Sequence, residues 1–264
     1  MSDALIDGAK LEEMRQRLIN IEIKVDRLDG TTDSSVANSG YGGHPDQVFG
    51  PATYAQHGDD LVVLNIFHNI GISRPSYMDI GAHHPINISN TALLYKLGCR
   101  GINIEPNPNL FENFKAHRQE DRNLNIGIAK EGGMLDFYMI DDFSGRNTFD
   151  KKTAEDFVRE NPMFAIRSIQ SIPVKNLNDV VSELGGEFPD FLTLDVEGLD
   201  YAILESFDFS KSRPKVVCVE FISGDGSSAH AGIKSLMLDR GYFLYFKTVG
   251  NAFYVHNDFK ALLD

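Results

Sequence analysis

The chain has 264 residues, 25 Lys+Arg against 38 Asp+Glu, a net charge of −13 and 42% hydrophobic residues. That length holds one large α/β domain, or one domain and an appendage. The acidic balance argues against a nucleic-acid coat or a polybasic membrane arm, because both need positive surface to displace counterions.

Two cysteines, Cys99 and Cys218, rule out a disulfide framework or a cysteine zinc cluster. Each sits in an apolar run and reads as a small buried hydrophobe. No apolar stretch approaches the ~18 residues of a membrane span. Met1-Ser2-Asp3-Ala4 lacks a basic region followed by an apolar core, so the cytoplasm is the expected compartment.

In chain order, Leu11, Met14, Leu18, Ile21, Val25 and Leu28 are spaced 3, 4, 3, 4 and 3 apart, an a/d seam with a charged opposite face. A seam this short is marginal alone and must pack on a copy of itself or on the main body. Residues 1–30 therefore read as a heptad helix and a route to a homo-oligomer. Residues 31–52, rich in Gly, Pro, Ser and Thr, read as a flexible linker, and the folded body begins at Thr53.

From Asp59 onward, short apolar runs alternate with helical periods. Helices are predicted over 60–67, 90–97, 109–115, 177–184, 201–207 and 230–239. Strands are predicted over 76–80, 101–105, 124–129, 134–140 (at an edge), 191–195, 215–220, 242–246 and 251–255. The alternation implies a mostly parallel sheet covered on both faces, with the last two strands as an antiparallel edge hairpin. Ligands of such sheets bind beyond the carboxyl ends of the strands.

The first of those ends reads Asp79-Ile-Gly81-Ala-His83-His84-Pro85, and the second Glu105-Pro-Asn-Pro. Gly81 lets the chain pass close to a ligand, and a carboxylate ending the second strand can accept both hydroxyls of a ribose. His83 and Ile86 stand where a pyrophosphate-binding turn has glycines, and Pro85 has no N–H to offer a phosphate. A dinucleotide is disfavoured; a phosphate-free nucleoside such as S-adenosylmethionine fits. The bland alternative makes Asp79 and Glu105 loop or capping carboxylates.

Five spaced motifs resemble the FkbM family of S-adenosylmethionine-dependent methyltransferases over residues 53–256. They are Tyr54-Ala-Gln56-His57-Gly58-Asp59-Asp60, Asp79 to Pro85, Ser89-Asn90-Thr91, Gly101 to Pro108, and Leu194-Asp195-Val-Glu197-Gly198. The resemblance implies a methyltransferase domain over 53–264 with a class I fold, a Rossmann-like seven-stranded sheet. It also implies O-methylation of a hydroxyl on a sugar, polysaccharide or glycosylated natural product. By the same resemblance, Asp79 and Gly81 line the methionine end of the cofactor and Glu105 holds the ribose. Gln56, His57 and Asp59 close over the site, and Ser89 and Asn90 cap the next helix beside the methionyl carboxylate. His83 departs from the second glycine of many class I enzymes and changes the local cofactor contacts.

Asp195-Val-Glu197 and Glu220 end two strands that are neighbours in such a sheet. Carboxylates there can share a divalent cation (Mg, Mn or Ca) through Asp195 and Glu220, and the cation would acidify and orient a bound hydroxyl. Asp195, Glu197 and His230 are the candidates for removing the acceptor proton. The bland alternatives are capping and ion-pair roles for the carboxylates and a polar helix start for His230. Residues 147–149 read as an acceptor loop or a surface turn, and 150–172 as a lid. Two competing functions remain: a nucleotide-dependent oxidoreductase on the same sheet, and a non-catalytic coiled-coil scaffold.

Overall fold

A computed structural model describes residues 53–220 and 228–263, with side chains described from 53 to 220 and from 232 onward. The heptad helix expected over 1–30 and the linker over 31–52 lie outside the described residues.

The main sheet has seven strands. In chain order they are β1 (Tyr77–Ile80), β2 (Gly101–Ile104), β3 (Arg122–Leu124), β7 (Phe191–Leu194), β8 (Val216–Glu220), β9 (Tyr242–Lys247) and β10 (Asn251–His256). They stand in the order β3-β2-β1-β7-β8-β10-β9. The first five run parallel and β10 enters antiparallel between β8 and β9. This is the class I methyltransferase sheet expected above. Every residue of β1 and β7 is buried, as strands covered on both faces require.

Two apolar layers cover the sheet. On one face, Val63, Ile66, Phe67 and Ile70 of α1 (Asp59–Asn69) and its C-cap pack on Tyr77, Phe191, Val216, Cys218 and Phe253. On the other, α5 (Leu177–Glu183), α6 (Asp200–Ser206) and α7 (Ser228–Asp239) bring Leu177, Val180, Ile203, Leu204 and Met237 onto Met78, Ile80, Leu192 and Val217. The crossovers α2 (Ala92–Lys96) and α3 (Pro108–His117) join the first strands. Asn107 starts α3, its side chain accepting from Asn109 N at 3.0 Å with Pro108 at the first helical position. A short α8 (Lys260–Leu263) ends the described chain.

One expected strand is corrected. The run 124–129 is not continuous: Leu124 closes β3 in the main sheet, and β4 (Gly127–Ile128) belongs to a second sheet. That sheet is three-stranded, β4-β6-β5, with β5 (Gly133–Met139) and β6 (Ser168–Lys175) antiparallel. Strand 134–140 is indeed an edge, but of this small sheet. Its apolar seam is Phe137, Met139 and Ile172, packed with Phe149. Within 150–172, read as a lid, the chain forms the amphipathic α4 (Lys151–Glu160) and the start of β6. No helix among the described residues is long and apolar enough to cross a membrane.

Candidate active site

The site lies beyond the carboxyl ends of β1, β2, β7 and β8. Gly81 turns away from β1 at φ +78°, and its N–H and that of Ala82 both donate to Ile104 O, at 3.0 and 3.1 Å. A Cβ on Gly81 would overlap the carbonyl oxygen of Asp195 and stand 2.9 Å from its carbonyl carbon. Only glycine fits, because the backbones of two neighbouring strand ends touch there.

His83 follows in a left-handed conformation, φ +52°, and its N–H donates to Glu105 Oε2 at 2.7 Å. Asn107 N donates to Glu105 Oε1 at 2.8 Å. Both oxygens of this 4%-exposed carboxylate are thus tied to backbone, each keeping one lone pair for a further donor. Ser89 Oγ accepts from Thr91 N and Ala92 N just before and at the start of α2, whose N-cap position is Thr91. Asn90 does not cap: its Nδ2 crosses to Thr193 Oγ1 on β7 at 3.0 Å. Asp79 is buried and accepts from Thr91 Oγ1 at 2.7 Å.

On the other side, β7 and β8 are in register up to Leu194 and Val219, so Asp195 and Glu220 emerge side by side. Asp195, Glu197 and Glu220 each offer an oxygen within 4.8 Å of the others. Glu197 was expected as a proton acceptor, and the structure adds it to the expected pair. Asp200 folds the 195–200 turn by accepting from Val196 N and Gly198 N, both at 3.3 Å. Asp195 is open to water at the crevice floor yet walled by protein, so its carboxyl rises through desolvation and then through Asp200. Desolvation, then Asp195, pushes Glu197 up to about 7, and the same two causes raise Glu220.

Between these halves lies a crevice of about 490 Å³, partly open to solvent and lined by Gly81, Glu105, Asp195 and Glu197. Residues 141–149, which leave β5, form its roof. Asn107 Nδ2 holds Asp142 O at 2.9 Å, His83 Nε2 lies 3.1 Å from Phe143 O, and Thr148 Oγ1 donates to Glu197 O at 2.8 Å. Arg146 Nη1 donates to both Glu197 oxygens, at 3.1 and 3.2 Å. Asn147 and Phe149 line the crevice, so 147–149 is part of the site wall. Arg146 and Asn107 escaped the sequence reading; the only signals were a basic residue in a polar loop and an Asn before Pro.

The upstream motif stands elsewhere on the same end of the sheet. Asp60 folds the incoming turn by accepting from Tyr54 N and Thr53 Oγ1, both at 2.7 Å, and Tyr54 O accepts from Ser89 N. Gln56 and His57 are exposed; the His57 ring lies beside Gly250 in the β9–β10 turn. Asp59 is fully buried, its Oδ1 accepting from Thr248 Oγ1 at 2.7 Å. Asp59 Oδ2 has no hydrogen-bond partner among the described residues. None of the three lines the crevice that holds Glu105. His230 falls in the first turns of α7, and its side chain lies outside the described residues.

Residues 79–244, well over half of the chain, match the methyltransferase FkbM domain. The chain belongs to the FkbM methyltransferase family. No curated protein matches it. Among solved structures it is similar to a precorrin-6y C5,15-methyltransferase from Geobacter metallireducens, with 11% identity over 74% of this chain and 86% of that one, and a TM-score of 0.38. A protein assigned as a caffeoyl-CoA O-methyltransferase from Staphylococcus aureus is 13% identical over 90% of this chain and 99% of that one, with a TM-score of 0.42. The family assignment displaces the oxidoreductase and the scaffold.

As an FkbM methyltransferase the enzyme takes its methyl group from S-adenosylmethionine, and the residues present suit that donor. The donor carries an ammonium and a sulfonium but no phosphate. The site offers carboxylates on its wall, the buried Glu105 among them, and a turn interrupted by Pro85, which has no N–H for a phosphate.

The carboxylates of the FkbM site also set its pH response. Desolvation pushes Glu105 up to about 8 and Glu197 up to about 7, so the folded ligand-free protein holds protons that the unfolded chain has already released. Stability from such groups is lost as pH rises through their folded values. His84 and His256, both lowered by burial, act oppositely but only below their ordinary range. The thermal midpoint of ligand-free protein is therefore expected to fall between pH 6.5 and 8.5. A midpoint that rises across that window would show these carboxylates to be ionised throughout.

Proposed function

We propose that the enzyme O-methylates a hydroxyl of a saccharide, a polysaccharide or a glycosylated natural product, and that Asp195, Glu197 and Glu220 prepare that hydroxyl. The observation that carries this reading is the juxtaposition itself. Three carboxylates whose proton affinity is raised by burial, Asp195 and Glu197 into the neutral range and Glu220 above it, meet beyond β7 and β8, where Asp195 and Glu197 line the same crevice as Gly81 and Glu105. A base poised near the working pH is the device that withdraws a hydroxyl proton during attack.

In this reading Asp79 and Gly81 receive the amino-acid end of the donor and Glu105 receives the ribose hydroxyls on its free lone pairs. His83 lines the nucleoside side of the crevice. The Ser89-Asn90 turn offers donors to the methionyl carboxylate, and Gln56, His57 and Asp59 cover the site from the hairpin side. Bound S-adenosylmethionine supplies an electrophilic methyl group. The chain's own task is to hold the acceptor oxygen in line with it, about 3 Å away, and to take up the proton. His230 is a second candidate for that proton.

Asp195 and Glu220, with Glu197 beside them, form an oxygen donor set suited to Mg, Mn or Ca. A cation there would acidify the hydroxyl before the carboxylates act. Arg146 already brings positive charge to Glu197, which favours a second, metal-free form of the same reading. Chelation separates them: with a cation, EDTA is expected to abolish turnover and added Mg or Mn to restore it. Activity indifferent to EDTA leaves the carboxylates and Arg146 as the whole apparatus. The donor half of the reading is tested by titration calorimetry with S-adenosylmethionine and S-adenosylhomocysteine; absence of heat with both would sink it.

A further inference from the structure

A guanidinium withdrawn from water is costly unless its donors are matched. Arg118, just past the end of α3, is 1% exposed and matched on every side. Its Nε donates to Asp121 Oδ2 at 2.8 Å, Nη1 to Pro85 O at 2.9 Å, and Nη2 to Tyr77 OH at 2.9 Å and Thr91 Oγ1 at 3.0 Å. The ring of Tyr95 lies 4.6 Å below the guanidinium. Asp121 is held in turn by Gly101 N, Asn103 Nδ2 and Tyr77 OH.

Pairing with Asp121 satisfies one nitrogen. The other two reach the two shoulders of the turn between Gly81 and Thr91. Thr91 has a single proton, and because Arg118 occupies its oxygen as a donor, that proton goes to Asp79 Oδ2 at 2.7 Å. The guanidinium thus dictates which way the Thr91 hydroxyl points, and fixes an Asp79 oxygen as acceptor. It touches none of the crevice.

We propose that Arg118 is a positioning residue for the amino-acid end of the methyl donor, acting through Thr91 on Asp79 and through the Pro85 carbonyl on the turn. This rests on the reading that Asp79 and Gly81 receive that end. The groups that face Asp79 are Thr91, Arg118 and Asp121, with Glu105, Asp195 and Cys218 around it.

The test compares two ligands that differ only at the amino-acid end. S-adenosylhomocysteine carries it; 5′-methylthioadenosine ends in a methyl group. In the full chain, Thr91→Val keeps the shape and removes the hydroxyl. It is expected to weaken S-adenosylhomocysteine about tenfold, the loss of one hydrogen bond to a charged group, and to leave 5′-methylthioadenosine unchanged. Thr91→Ser is expected to restore the wild-type ratio. Arg118→Lys should change the ratio in the same direction as Thr91→Val, and where it fails to fold, Thr91→Val decides. A lowered thermal midpoint with the ratio of affinities unchanged, or equal weakening of both ligands, overturns the proposal alone. A wild-type protein that binds neither compound overturns the donor reading and the proposal together.

Discussion

Asp195→Ala is expected to lower kcat at least a hundredfold while moving the thermal midpoint by only a few degrees. The size follows from what a positioned proton acceptor contributes, on the order of 10² to 10⁴ in rate. The small stability effect follows from where the side chain stands. It projects from the end of β7 onto the exposed crevice floor, where truncation opens no cavity in the apolar layers. Removing it also relieves repulsion, because Asp195 is among the charges that raise Glu197 and Glu220. S-adenosylhomocysteine affinity measured beside kcat separates the acceptor half from the donor half. Unchanged turnover in this variant would remove Asp195 from the chemistry.

Gly81→Ala is expected to destabilise the protein by at least about 3 kcal/mol and to abolish donor binding. Two costs add: a left-handed backbone at φ +78° for a residue with a Cβ, and overlap of that Cβ with the backbone of Asp195. Neither neighbour can give way cheaply. Asp195 N is bonded to Ile80 O, and Gly81 N to Ile104 O. Chemical denaturation and calorimetry on the same preparation check both parts. A variant as stable as wild type would mean that the strand ends are not locked together.

Much of this was legible in the residues because it rests on local patterns. Buried parallel strands write themselves as unbroken apolar runs, so Ser76–Ile80, Phe191–Leu194 and Lys215–Glu220 stood out, and their acidic ends followed directly. The second sheet was much less legible. Its β6, Ser-Ile-Gln-Ser-Ile-Pro-Val-Lys, is half exposed and interrupted by Pro173, which is tolerated because β4 pairs only with Val174 and Lys175 and leaves β6 without a strand on that side at Pro173. The splitting of 124–129 into β3 and β4 is invisible for a related reason: nothing in six apolar and polar residues says that the chain changes sheets midway. Asn90 was misassigned because an Asn before a helix reads as a cap, and a partner 103 residues away outweighed that propensity. Arg118 was missed because a charged residue after a helix reads as solvated surface.

The crevice has two walls of different origin. Gly81, Glu105 and Asp195 are anchored in the seven-stranded sheet, whereas Phe137, Asn147 and Phe149 come from β5 of the three-stranded sheet and the loop that leaves it. Insertions or exchanges within 141–149 can therefore reshape the roof without disturbing the register of the strands beneath. The consequence is a division of labour open to selection: one wall of the cavity is held by the strand register, and the other is free to diversify.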